Sequence, residues 1–471
     1  MKKTAIFLLA SMLLTSCTVA DGGSDNPTTN GVYSIPSDIT IDAGEMEDSQ
    51  DNADKPRLDV ISTILPDGTN HWPTYIWPED SPINNGFVSY TNDGAIVDHL
   101  KSRLSSFLQS DSMYGSVLIA KGGRIIYENY SSYYESQATQ VQMASLTKSF
   151  VSALIGIAID EGLIGSTQDK VMDYFTDLEI ENIDDMKKSM SIEDVLTMRC
   201  GLDFSENNSV VLLYTSDNPV RELLSKKMKR EPGTVFEYNT ASSSILTAIL
   251  HKVTGGSVFE WAKEKLFDPI GITSATWEKD KSGIEIGGTG LQMNARDLLR
   301  FGYLFLKNGV WDGEQIISEE WVRESTAKMT DIEEQSRENS GLPGVYNSYA
   351  SHWWCIDEGS LLENSDGSVM EQSYSEFKQI DGEYYNIYYK AVPKGALKHG
   401  DIYRATGYAG QYIYVCPKYD MVVAMSNNNI NYQEFDIGNF LMFQFILPYL
   451  DEYSDLVEVG MDEAELLDED E

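Results

Sequence analysis

The stretch Ser149–Ile159 is apolar on almost every side, and a helix of that kind has no face to give to water. Other elements have to cover it all round, which confines the chain to a layered fold with this helix near its centre. Two β-rich runs precede it, Gly115–Lys121 and Arg124–Tyr130, joined at Gly122-Gly123 in the pattern of a hairpin. Strands return late, at Gln411–Pro417 and Met421–Ser426, around a Pro-Lys-Tyr-Asp turn. The stretch from about 150 to 330 reads as mostly helical. Further helices are expected over 94–109, with Ile96, Leu100, Leu104 and Phe107-Leu108 on one face, and over 433–447, with Phe435, Phe440, Leu441, Phe443 and Phe445 ahead of Pro448. An early and a late hairpin with helices between them predict one antiparallel sheet closed by both ends of the chain. Helices flank that sheet, and a mainly helical subdomain is inserted, giving a three-layer α/β (α+β) core.

With 42 % hydrophobic residues in 471, the chain can bury such a core. Its 74 acidic against 35 basic side chains give a net charge of -39. That excludes nucleic acid, whose phosphates need a basic surface, and an anionic membrane face as an electrostatic partner. The charge is unevenly spread: -8 over residues 21–60, -11 over 451–471 and -22 over 61–450. Residues 18–60 read as a disordered acidic tether and 456–471 as an acidic tail, solvated from 462 on, around a folded body at 61–455. Lys2-Lys3 and the short apolar run Ala5–Leu14 describe a secretory signal over residues 1–17, too short to span a bilayer permanently. Its end, Leu14-Thr-Ser-Cys17, resembles a bacterial lipobox, which implies Cys17 as the lipidated first residue of the mature protein. The expected location is the bacterial cell envelope, lipid-anchored. Cys200, Cys355 and Cys416 have no CxxC spacing and read as buried thiols, with at most one disulfide among them.

Ser145-Leu-Thr-Lys148 opens the central helix and matches S-x-x-K. That spacing brings the amine to the hydroxyl's side one turn on. A Lys in a dry site sheds its charge readily and can then take the Ser proton. The helix N-terminus adds free N–H groups and the positive end of its dipole. The pattern recurs at Ser325-Thr-Ala-Lys328 and Ser375-Glu-Phe-Lys378, but these lie among charged and polar residues and read as surface. Two sets compete as partners of Ser145. Ser216-Asp217-Asn218 and Lys281-Ser282-Gly283 follow the S-D-N and K-[ST]-G order of class A β-lactamases. Lys281, however, falls in a charged loop where an edge strand is needed, and Asp217-Asn218-Pro219 reads as a turn into a helix. The other set is Tyr238 in Pro232-Gly-Thr-Val-Phe-Glu-Tyr238-Asn-Thr240, ahead of a helix ending at Thr254-Gly255-Gly256. A Tyr beside a Lys ammonium can be acidified and shuttle protons, although a chain with 27 Tyr also holds interior phenols with satisfied hydroxyls. His71, His99, His251 and His352 show no ligand spacing. Neither a Ser-His-Asp triad nor a metal or cofactor is expected.

Several segments taken in order resemble the serine β-lactamase-related, penicillin-binding-protein-like hydrolases, nearest the 6-aminohexanoate-dimer hydrolase-like branch. They are Ser-Leu-Thr-Lys-Ser-Phe, Leu-Thr-Met198-Arg-Cys-Gly201-Leu-Asp-Phe, Pro-Gly-Thr-x-Phe-x-Tyr-Asn-Thr, Gly287-Gly-Thr-Gly290-Leu-Gln-Met-Asn-Ala-Arg-Asp297, Trp311-Asp-Gly, His352-Trp353-Trp354 and Tyr403-Arg-Ala-Thr-Gly407-Tyr408-Ala-Gly410-Gln411. Together they span about residues 95 to 450. The resemblance implies a β-lactamase/transpeptidase-like fold and an acyl-enzyme at Ser145, with Lys148 as its base and Tyr238 as proton relay. It also implies an oxyanion hole from the N–H groups of Ser145 and Tyr408. Thr240, Gly407 and Gly410 would then lie at the substrate, since glycine lets backbone approach closely. Two departures stand out: the family often has Asn where Thr240 stands, and Lys or His where Ala405 stands, a group that elsewhere meets a substrate carboxylate. The implied activity is hydrolysis of a small-molecule or peptide amide or ester. A β-lactamase or D,D-carboxypeptidase, and a non-catalytic cell-wall-binding surface lipoprotein, stand as alternatives.

Overall fold

The structure, a computed structural model, describes residues 115–130, 139–327, 330–331, 348–355, 400–427 and 441–447, with Leu104 and Gly438, and three backbone strands at 374–380, 383–389 and 460–463. The signal segment, the tether and most of the helix expected at 94–109 lie outside the described residues.

Eight strands make the main sheet: β1 (Ser116–Lys121), β2 (Arg124–Tyr130), β3 (Thr330–Asp331), β4 (Ser348–Tyr349), β5 (Trp354–Cys355), β6 (Tyr403–Gly407), β7 (Gln411–Cys416) and β8 (Met421–Ser426). Their spatial order is β2-β1-β8-β7-β6-β5-β4-β3, antiparallel throughout. The early and late hairpins meet at the β1–β8 pair, in register from Ser116↔Ser426 to Lys121↔Met421. The sheet is therefore closed by both ends of the chain. The first hairpin turns on Gly122 and Gly123, both at positive φ (58° and 73°), as the right-handed twist of the flanking strands favours in a two-residue turn.

The apolar run becomes helix α1 (Thr147–Asp160), buried from Thr147 to Ala158. Helix α2 (Ser243–Thr254) packs against it. Helix α3 (Ala295–Leu306) lies between α1 and the sheet: Phe301 stacks on Phe150 of α1 with ring centroids 3.7 Å apart, and Gly302 lets the helix settle onto Ile413 and Val422 of β7 and β8. Short helices at Ile192–Leu196, Ser209–Thr215 and Pro219–Leu224 form the inserted helical part. Helices dominate the regular structure of the stretch 150–330, joined by long turns and small strand pairs such as Val310–Trp311 with Glu314–Gln315.

One expectation needs adjustment. Ser325 is buried rather than on the surface. It lies on helix α4 (Glu319–Thr326) one turn beyond Trp321, so helical periodicity turns it inward among charged neighbours that face out, and its hydroxyl donates to the Val322 carbonyl. Lys328 lies outside the described residues. The run around Ser375 is a strand, Tyr374–Ile380, paired with Glu383–Tyr389. That second strand also pairs with Gly460–Glu463. Cys200, Cys355 and Cys416 are free and buried, as expected.

Candidate active site

The chain approaches Ser145 along the short strand Val141–Gln142, which pairs with Leu291–Met293, and the Met143 N–H donates to the Leu291 carbonyl. Ala144 then takes a left-handed φ of 47°, an uncommon state for a residue with a Cβ. The kink launches a 3-10 turn, Ala144–Leu146, that runs straight into α1. Ser145 is half-buried at this turn, while Lys148, three residues on, is only 1 % exposed. The Lys148 Nζ donates to Ser145 Oγ at 2.9 Å, to the Gly288 carbonyl at 2.9 Å and to Thr240 Oγ1 at 3.1 Å. Burial disfavours the ammonium and brings Lys148 down to about 7, against the pull of the Glu206 carboxylate, which favours the charge. The expected nucleophile and base are therefore in contact, and the base titrates near neutrality.

Tyr238 joins them from the loop before α2. Its hydroxyl bonds with Ser145 and Thr240, and its ring lies 5.0 Å from the Lys148 Nζ. Trp354 stacks beside the ring at 5.8 Å and Tyr349 meets it edge-on at 6.4 Å, so strands β4 and β5 fix its orientation. The expected acidification is not found. Burial and the Glu206 charge push the phenol above its ordinary range, more than its bond to Ser145 pulls it back. The phenol therefore stays protonated and can relay a proton only as a neutral hydroxyl.

Thr240 is brought to the site, but it is only 3 % exposed and its hydroxyl is engaged on both sides. It accepts from Lys148 and donates to Glu206 Oε1 at 2.6 Å, while the Thr240 N–H donates to Glu206 Oε2 at 2.5 Å. Burial raises the Glu206 carboxyl, and Lys148 and these bonds oppose it. Glu206 carries no sequence motif. Asn239, next to Thr240, clasps the loop that supplies it: its Nδ2 donates to the Phe204 carbonyl and its Oδ1 accepts from Ser209 Oγ. His352, which opens the His352-Trp353-Trp354 segment, is another part of the site. Its Nδ1 lies 3.1 Å from the Lys148 carbonyl, which can only accept, so Nδ1 carries the proton and Nε2, 3.3 Å from Ser243 Oγ, accepts. Burial and Lys148 lower its pKa to about 3, so it stays neutral and ties α1 to α2.

Gly407, at the end of β6, packs on the nucleophile's turn: a Cβ there would collide with the Met143 carbonyl and crowd the Leu146 nitrogen. Glycine is thus needed for backbone approach to the turn itself, and Tyr408 is the next residue along the chain. Gly410 follows in the tight turn into β7, at φ 92°. Ala405 is fully buried on β6. The rival set goes elsewhere. Asn218 caps the helix Pro219–Leu224 through Arg221 N, and Lys281 donates to the Thr215 carbonyl on an exposed loop.

A family profile described as Beta-lactamase matches residues 104–444. The 6-aminohexanoate-dimer hydrolase of Paenarthrobacter ureafaciens is 26 % identical over 280 residues, covering 55 % of this chain and 69 % of that protein. A Bacillus anthracis structure described as a 6-aminohexanoate-dimer hydrolase superposes with a TM-score of 0.54 at 21 % identity, over 80 % of this chain and 86 % of that one. A family VIII carboxylesterase superposes at 0.53 and 16 % identity, over 77 % and 97 % of the two chains. These two structures share the β-lactamase/transpeptidase-like fold with this protein. The profile spans most of the described core on that fold, and the chain accordingly belongs to the β-lactamase family of serine hydrolases.

Proposed function

We propose that this hydrolase cleaves an amide or ester bond through an acyl-enzyme on Ser145, and that its acyl group carries no free carboxylate. The Lys148–Ser145 contact, made by a buried Lys that titrates near neutrality, carries this reading. In the neutral amine the lone pair takes the Ser145 proton as Oγ attacks the carbonyl carbon. The oxyanion that forms is met by the N–H groups of Ser145 and Tyr408. Lys148, now an ammonium, returns the proton through the Tyr238 hydroxyl to the leaving group, and water then hydrolyses the acyl-enzyme by the reverse proton path. The substrate preference rests on Ala405, a buried methyl group where a carboxylate-binding cation would stand, and on the negative Glu206 behind the base. A panel of p-nitrophenyl esters, anilides, a chromogenic cephalosporin and a D-alanyl-D-alanine peptide tests it. Esters or amides with uncharged acyl groups are expected to have the highest kcat/KM; fastest turnover of the cephalosporin or D-peptide would establish the β-lactamase or D,D-peptidase reading instead.

The enzyme is further proposed to act from the cell envelope, held by lipid on Cys17. The basic pair Lys2-Lys3, the short apolar run and Leu-Thr-Ser-Cys17 support this. Full-length protein expressed in a bacterium is expected to partition into a detergent phase and the Cys17→Ser variant into the aqueous phase. Equal partitioning of the two would dismiss the anchor.

A further inference from the structure

The three partners of Lys148 Nζ differ in what they can do. The Gly288 carbonyl only accepts. Thr240 Oγ1 could either donate or accept, but its own proton is committed to Glu206 Oε1 at 2.6 Å, so towards Lys148 it too can only accept. A neutral amine has two N–H groups and one lone pair. Once both protons are taken by these obligate acceptors, the lone pair is left facing Ser145 Oγ at 2.9 Å, where the base has to act. We infer that Glu206, acting through Thr240, is a positioning residue that turns the Lys148 lone pair onto Ser145.

This inference rests on the acyl-enzyme reading above and names a part of its machinery. The device is anchored twice, since Glu206 also receives the Thr240 N–H and Asn239 holds its loop. The titratable groups around the Lys148 amine are Ser145 on its own turn, Tyr238 from the loop before α2, Glu206 from the helical part and neutral His352 from the β4–β5 turn; Gly288 presents only backbone. Among them Glu206 is the negative group that favours the Lys148 ammonium. Removing its charge therefore lowers the pH at which the free amine appears.

Three variants assayed with p-nitrophenyl butyrate test this. Thr240→Val keeps shape without the hydroxyl and is expected to lower kcat about a hundredfold with KM within about threefold, whereas Thr240→Ser restores kcat to within about fivefold of wild type. Glu206→Gln is expected to move the acid limb of kcat/KM about one unit to lower pH. A merely structural role would cost activity equally at every pH and would not separate Ser from Val. The inference is overturned if Thr240→Ser is as slow as Thr240→Val, or if the acid limb of a Glu206→Gln protein with wild-type circular dichroism does not move. Should Glu206→Gln fail to fold, the Thr240 pair decides alone. A wild type that neither turns over the ester nor gains an adduct at Ser145 fails the acyl-enzyme reading, and this inference with it. A wild type that does both while the variants depart from these results fails the inference alone.

Discussion

Lys148→Arg is expected to lower kcat/KM by about 10³-fold, although it preserves the positive charge. A guanidinium keeps its proton at every pH a protein survives, so it cannot serve as the base. Lys148 can, because burial brings it down to about 7. The sign of the pH dependence follows. Below that value the ammonium predominates and has no lone pair to offer Ser145; as pH rises through it the amine appears and kcat/KM climbs, with a midpoint near about 7. Lys148→Arg should show neither the rate nor the limb. A wild-type profile that stays flat through neutrality, or an Arg variant with near-normal turnover, would show that Lys148 is not the base. Arg is also larger than Lys in a site closed by Gly288, Thr240 and the Tyr238 ring, so Lys148→Met serves as the packing control and is expected to lose the same limb.

How much of this could be read from residues alone depends on how local each signal is. The central helix, the two hairpins and the S-x-x-K turn are continuous patterns, and they fall where periodicity places them. Strands β3, β4 and β5 are two residues each, too short for any alternation to show, yet β4 and β5 supply the rings that hold Tyr238. Ser325 was misread for a related reason: composition around a residue reports its neighbours, whereas the helix turns only one side inward. Glu206 was invisible because its partners, Thr240 and Lys148, are 34 and 58 positions away. The motif brings Tyr238 to Lys148, but the acidity expected of it does not follow. Proximity to an ammonium suggested a lowered pKa, and only the structure shows that burial and a neighbouring carboxylate dominate. Charge counting had the opposite fate, since an acidity spread along the sequence says little about the single carboxylate that matters.

Ser145→Ala is expected to have the largest effect of all, a loss on the order of 10⁴-fold or more in kcat, with residual rate coming only from binding and the oxyanion donors. Fold should survive, because Ser145 is half-buried on a turn held by backbone bonds from Met143 and Leu146 rather than by its hydroxyl. Its partners would persist, with Lys148 still bonded to Thr240 and Gly288. The loss would therefore report the nucleophile rather than a collapsed site. The most direct measurement is intact-mass spectrometry after reaction with an active-site fluorophosphonate, followed by peptide mapping. Wild type should gain one adduct, on the peptide containing Ser145, and Ser145→Ala none; an adduct that persists in Ser145→Ala, or maps to any other residue, contradicts the account.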